Sequence, residues 1–119
     1  MKWTVEFHPA FEDEFDKFSD DVQDSILGRL ELLARIGHQL ARPYCDTLKG
    51  SRHANMKELR CDADNGVWRI AFAFDPDRKA IVLTAGNKAG ANQKRFYKTL
   101  IKTADTRFDE HLSDIKGKR

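Results

Sequence analysis

The sequence predicts an α+β domain: a small antiparallel sheet, made of an N-terminal strand and a three-stranded meander, with two N-terminal helices and one C-terminal helix. Three observations lead there. Apolar residues alternate with period 2 near the N-terminus and again in the middle of the chain. They recur with helical spacing before residue 37 and after residue 92. The turn sequences DADNG and DPDRK cut the middle into strands. At 119 residues there is matter for one core and not two, so residues 1–119 read as one domain.

Each element follows from local chemistry. Trp3, Val5 and Phe7 alternate with Lys2, Thr4 and Glu6, as in a half-buried strand. Pro9 suits a first helical position, and Phe11, Phe15 and Phe18 then form one apolar stripe of a short helix. Ser19, followed by Asp20 and Asp21, caps a second helix whose Val22, Ile26, Leu30, Leu33 and Ile36 face the core, with Gly37 as its stop. Residues 38–55 lack periodicity and read as a connecting loop. Strands follow at 56–61, 67–74 and 80–85, with Trp68, Ile70, Phe72 and Phe74 sharing a face. Asn92 caps a long helix with Phe96, Leu100, Ile101, Ala104, Phe108, Leu112 and Ile115 turned inward, and residues 116–119 read as a solvated basic tail. The helices are expected on one sheet face, leaving the other free.

Composition narrows the function. No stretch approaches the roughly 18 apolar residues of a membrane span, and MKWTVEFHPAFEDEF has no leader-like apolar run. The expectation is a soluble, cytoplasmic protein that engages no membrane. Cys45 and Cys61 form no CxxC, and His8, His38, His53 and His111 share no ligand spacing, so neither a metal nor a small-molecule cofactor is expected. A net charge of +2 hides a strong asymmetry. Residues 1–48 carry five Lys and Arg against ten Asp and Glu, whereas residues 49–119 carry 16 against nine. The second part has the electrostatic footprint of a phosphate-binding surface.

A hairpin closed by DADNG puts Arg60 opposite Val67 or Arg69, and either register gathers Glu58, Arg60 and Arg69 on one face. Leu59, Cys61, Trp68, Ile70 and Phe72 take the other. An ordinary exposed Glu/Arg cross-strand pair would look alike in sequence. However, Arg69 shares its face only with Val67, Ala71 and Ala73, small groups that leave space for a ligand. Lys88 follows the last strand, and Lys94, Arg95, Tyr97 and Lys98 open the final helix, whose amides favour phosphate. Lys49, Arg52 and His53 precede the hairpin as a loop suited to grip an RNA backbone. Such a set has the parts for cutting RNA without metal: a base for the ribose 2′-hydroxyl, cations for the phosphorane and an acid for the leaving 5′-oxygen. Lys57 and Glu58 are both candidates for the base, on opposite faces by period.

The segments LKG at 48–50, KELR at 57–60 and WRIAFAF at 68–74, with a lysine after the last strand, resemble the RelE/ParE superfamily of toxin-antitoxin toxins. GSRHANMKELR, AFAFDPDR and RFYKTLIKTAD with DEHL are similar to its phage-derived HigB-type branch. The resemblance covers nearly the whole chain. It implies a RelE-like fold and an mRNA interferase acting on the ribosome, neutralised by a separate helix-turn-helix antitoxin. By resemblance Arg69 matches the superfamily's most recurrent arginine, Arg60 a strand arginine that supports the scissile phosphate, and Lys88 a basic position after the last strand. The chain departs from relatives with several lysines in the first hairpin strand, or with a histidine near the last strand, which leaves the base open between Lys57 and Glu58. A ParE-like inhibitor of DNA gyrase and a non-catalytic RNA-binding module remain alternatives.

Overall fold

The computed structural model describes residues 2–118. In chain order the elements are β1 (Val5–Phe7), α1 (Pro9–Phe15), α2 (Asp20–Ile36), β2 (Cys45–Thr47), β3 (Lys57–Ala63), β4 (Gly66–Phe74), β5 (Ala80–Asn87) and α3 (Gln93–Gly117), with a short 3₁₀ turn at Gly37–Gln39. The α+β class and the meander are as expected. Three features are not.

First, the sheet is mixed rather than antiparallel. It has five strands in the order β1-β5-β4-β3-β2, and β1 runs parallel to β5, pairing only with Ala80–Val82. Second, the loop predicted at 38–55 contains β2, an edge strand antiparallel to β3. Third, helices cover both sheet faces. Phe11 and Phe15 of α1 and Val22, Ile26, Leu30 and Leu33 of α2 pack with Leu59, Cys61, Ile70, Phe72 and Val82 on one side. On the other, Leu100, Ala104 and Phe108 of α3 lie on Ala71, Ala73, Ile81 and Leu83. Ala71 and Ala73 are fully buried, so the space they leave is taken by α3 and not by a ligand.

Local signals behave as their chemistry dictates. The Ser19 hydroxyl accepts the Val22 N–H, and Asp20 and Asp21 sit at the positive end of α2. Gly37 stops that helix at φ +73°, where a Cβ would enter the Trp3 ring. Asp64 and Asn65 both have positive φ, the requirement of a two-residue type I′ hairpin turn.

Long-range ion pairs fasten α3. Arg107 donates to both Glu14 oxygens, at 2.8 and 2.7 Å, and to the Leu83 carbonyl at 2.9 Å. The Arg107 hydrogen bond holds the Glu14 carboxyl below its usual range. His111 meets the buried Asp75 at 2.8 Å. The helix runs on through Gly117, so Lys116 sits in its last turn instead of a loose tail, and Arg119 lies outside the described residues. Among the described residues no helix is long and apolar enough to cross a membrane, and no cluster of three or more His, Cys, Asp or Glu is arranged to hold a metal ion.

Candidate functional site

Pairing in the β3–β4 ladder places Arg60 directly opposite Arg69. Two like charges at that position repel. The compensation comes from Glu58, one step along the same face of β3 and only 3% exposed. Its Oε2 accepts from Nε and Nη2 of Arg60 at 3.1 and 2.9 Å. Its Oε1 faces Arg69 Nε at 3.9 Å, beyond hydrogen-bonding distance. Both of those atoms are buried without a hydrogen-bond partner. The carboxylate is therefore wedged between two guanidiniums and keeps one oxygen unsatisfied.

The start of α3 closes this centre. Gly86 pairs with Arg69 across β4–β5. A Cβ there would press on the Phe96 ring at 2.9 Å, so the bare glycine lets the first turns of α3 lie against the strand. Tyr97 arrives within electrostatic reach of Arg69 and Glu58, and burial, with the Glu58 carboxylate and against the opposing pull of Arg69, pushes its hydroxyl pKa up. Lys88 Nζ sits 5.7 Å from the Tyr97 ring centroid. Burial and then Arg69 hold the Lys88 ammonium below the ordinary lysine pKa. Of the residues expected to act together, Glu58, Arg60, Arg69, Lys88 and Tyr97 are thus neighbours.

Others lie elsewhere. Lys57 pairs across the ladder with Phe72 and Thr47, on the α2 side of the sheet and away from Glu58. Arg52 is bound to Asp105 and Asp109, and His53 lies 2.7 Å from Asp109. Their polar groups fasten the 48–56 loop to α3 and do not face the cleft. Lys94 is exposed, and Arg95 lines a separate, more apolar groove of about 450 Å³ with Thr84, Phe96 and Leu100. Lys49 does reach the site. It shares the wall of a cavity of about 370 Å³ with Arg42, Asp46, Thr47, Glu58, Arg60 and Tyr97.

Arg42 and Asp46 are additions that the sequence does not announce. They arrive with β2, a strand of three residues, too short to show a period. Asp46 Oδ2 accepts Nε and Nη2 of Arg42 at 2.9 and 2.7 Å and lies 3.4 Å from Arg60 Nη2. The Arg42 hydrogen bond keeps its carboxyl below the usual range. Chemically, the cleft offers fixed cations for a phosphate, an unsatisfied buried carboxylate oxygen, an amine with lowered pKa and an aromatic ring.

Comparison with known proteins gives consistent matches. The family model described as phage-derived protein Gp49-like matches residues 13–109. Two Mycobacterium tuberculosis (strain ATCC 25618 / H37Rv) proteins named as toxins are similar. HigB2 is 46% identical over 103 residues, which are 83% of this chain and 51% of HigB2. HigB3 is 42% identical over 109 residues, 92% of this chain and 93% of HigB3. The chain therefore spans about half the length of one relative and nearly all of the other. Among solved structures, a double arginine-to-alanine variant of E. coli toxin RelE in the free state superposes with TM-score 0.55 at 12% identity, over 85% of this chain and 99% of that one. The archaeal RelE-RelB complex of Pyrococcus horikoshii OT3 gives TM-score 0.55 at 15% identity, over 76% of this chain and 100% of that one. At such identities these two establish the RelE-like fold alone.

Proposed function

This chain belongs to the phage-derived Gp49-like family, and from that membership we propose that it is the toxin of a type II toxin-antitoxin system, a metal-independent endoribonuclease that cuts mRNA on the ribosome. A separate helix-turn-helix antitoxin neutralises it. The toxin names of HigB2 and HigB3 support the class, and the RelE-RelB complex supports a protein partner.

The observation that carries the catalytic part is the buried Glu58 held between Arg60 and Arg69 with one oxygen unsatisfied. The Glu58 carboxylate, which borders the cavity, takes the proton of the ribose 2′-hydroxyl. The 2′-oxygen attacks phosphorus while Arg60 and Arg69 stabilise the charge that gathers on the phosphorane oxygens. The P–O5′ bond breaks, and the 5′-oxygen takes a proton from the Lys88 ammonium, whose lowered pKa suits an acid. A 2′,3′-cyclic phosphate and a 5′-hydroxyl result. Tyr97 offers a ring for base stacking.

Expression without antitoxin, followed by primer extension on cellular mRNA, tests this directly. Growth arrest with translation-dependent cuts is expected. Arg69→Ala should abolish both while far-ultraviolet circular dichroism stays native. Intact transcripts accompanied by gyrase-linked DNA breaks would overturn the nuclease assignment.

A further inference from the structure

The cavity beside Glu58 holds more cationic chemistry than one scissile phosphate can use. Arg60 and Arg69 suffice for the phosphorane. Yet Arg42 and Lys49 stand on the same wall. Arg42 and Arg60 both close on a single oxygen of Asp46, at 2.7 and 3.4 Å. Asp46 is fixed in turn by the Thr47 N–H, 2.8 Å from its other oxygen. Two guanidiniums converging on one carboxylate oxygen is the arrangement that adjacent phosphate oxygens would also attract. Arg42 is 74% exposed and so is free to exchange its partner. Lys49 is exposed and has no ion pair among the described residues.

We propose that Arg42 and Lys49 form a second phosphate subsite, which takes a phosphate flanking the scissile one on the same RNA strand. This rests on the assignment of the cleft to RNA cleavage and adds the path of the strand across it. Asp46 holds Arg42 close to Arg60 in the free protein, and the incoming phosphate displaces it. Besides these cations and the Asp46 and Glu58 carboxylates, the wall is lined by Thr47, Leu48, Gln93 and the Tyr97 ring, uncharged groups that accept a nucleotide unit. About 370 Å³ lies within the range of small-ligand sites of roughly 300–1,000 Å³, more than one phosphate fills. Contacts of this kind set the register of a strand without reading its sequence.

The test neutralises one phosphate at a time. An mRNA is first mapped for its cut site in a translating extract. Versions carrying a methylphosphonate at each flanking phosphate are then cleaved by the wild type and by the Arg42→Ala/Lys49→Ala double variant. In the wild type one flanking substitution should slow cleavage about tenfold, the loss expected for a charge-assisted contact. The double variant should cut the unmodified RNA about tenfold more slowly, and the same methylphosphonate should slow it less than about twofold further, since the partner is already gone. Harmless flanking substitutions, or full sensitivity retained by the double variant, would discard the subsite and leave the nuclease intact. A wild type that cuts no mRNA in the extract would bring down the nuclease itself and the subsite with it.

Discussion

Replacing Glu58 by glutamine keeps the volume and one acceptor but removes the charge on which two arginines depend. Glutamine can still present a carbonyl to Arg60, and its amide N–H₂ then confronts Arg69, donor against donor. A unit-charge pair at 3.9 Å is worth about 4 kcal/mol at an effective dielectric near 20. Arg60 is 31% exposed, so water screens much of its share. The Arg69 side chain, 11% exposed, has no such relief. A loss of about 3 kcal/mol follows, at the lower end of what breaking a buried pair costs. Urea unfolding followed by the fluorescence of Trp3 and Trp68 reads this as a fall in the midpoint at constant slope. Adding Arg69→Met removes the stranded cation, and the double variant should regain about 1–2 kcal/mol over Glu58→Gln alone. If Glu58→Gln stays within about 0.5 kcal/mol of the wild type, or if the second substitution only adds to the loss, Glu58 is not what holds the arginines.

In the proposed mechanism Lys88 acts as an acid only while protonated, so the cleavage rate should fall as pH rises through its pKa, which burial and Arg69 hold below that of ordinary lysine. Lys88→Arg stays charged and should move that alkaline limb up by about one pH unit or more, seen in a pH–rate profile; an unmoved limb would remove Lys88 from the proton transfer. Asp105, 4% exposed, accepts from the Ser51 hydroxyl and the Arg52 N–H. Its replacement by alanine should cost about 2 kcal/mol and raise amide exchange selectively in residues 50–53. Gly37→Ala combines a positive φ with a collision against Trp3 and should cost about 2–4 kcal/mol, measured as a lower Tm with altered near-ultraviolet dichroism.

Much of the fold is legible in the sequence because side-chain period reports faces directly. Alternation alone sorts Trp68, Ile70 and Phe72 from Arg69, and Leu59 and Cys61 from Glu58 and Arg60. Direction and partnership are another matter. Alternation in Trp3, Val5 and Phe7 is the same for parallel and antiparallel pairing, so the expectation of an antiparallel sheet fails at β1. Ala71 and Ala73 suggest vacant space by their size, yet small residues are equally what a helix needs to approach a strand closely, and α3 occupies that space. Arg52 and His53 look free in sequence because their partners, Asp105 and Asp109, lie more than fifty residues away. The Glu58–Arg60–Arg69 centre follows from the hairpin alone, whereas the Arg42–Asp46 pair depends on a strand too short to have a period.

The parallel pairing of β1 with β5 has a consequence for how the molecule comes into being. Strand Val5–Phe7 joins Ala80–Val82, a closure over some seventy-five residues. Non-local pairings of this kind are slow to form. The β3–β4 hairpin can assemble locally, but β1 must wait for β5 to exist, and Tyr97 reaches the cleft only when α3 docks on the finished sheet. A partly synthesised chain therefore carries both arginines in a hairpin without the pocket that would use them. Competence arrives late, when the first strand and the last helix close on the same sheet.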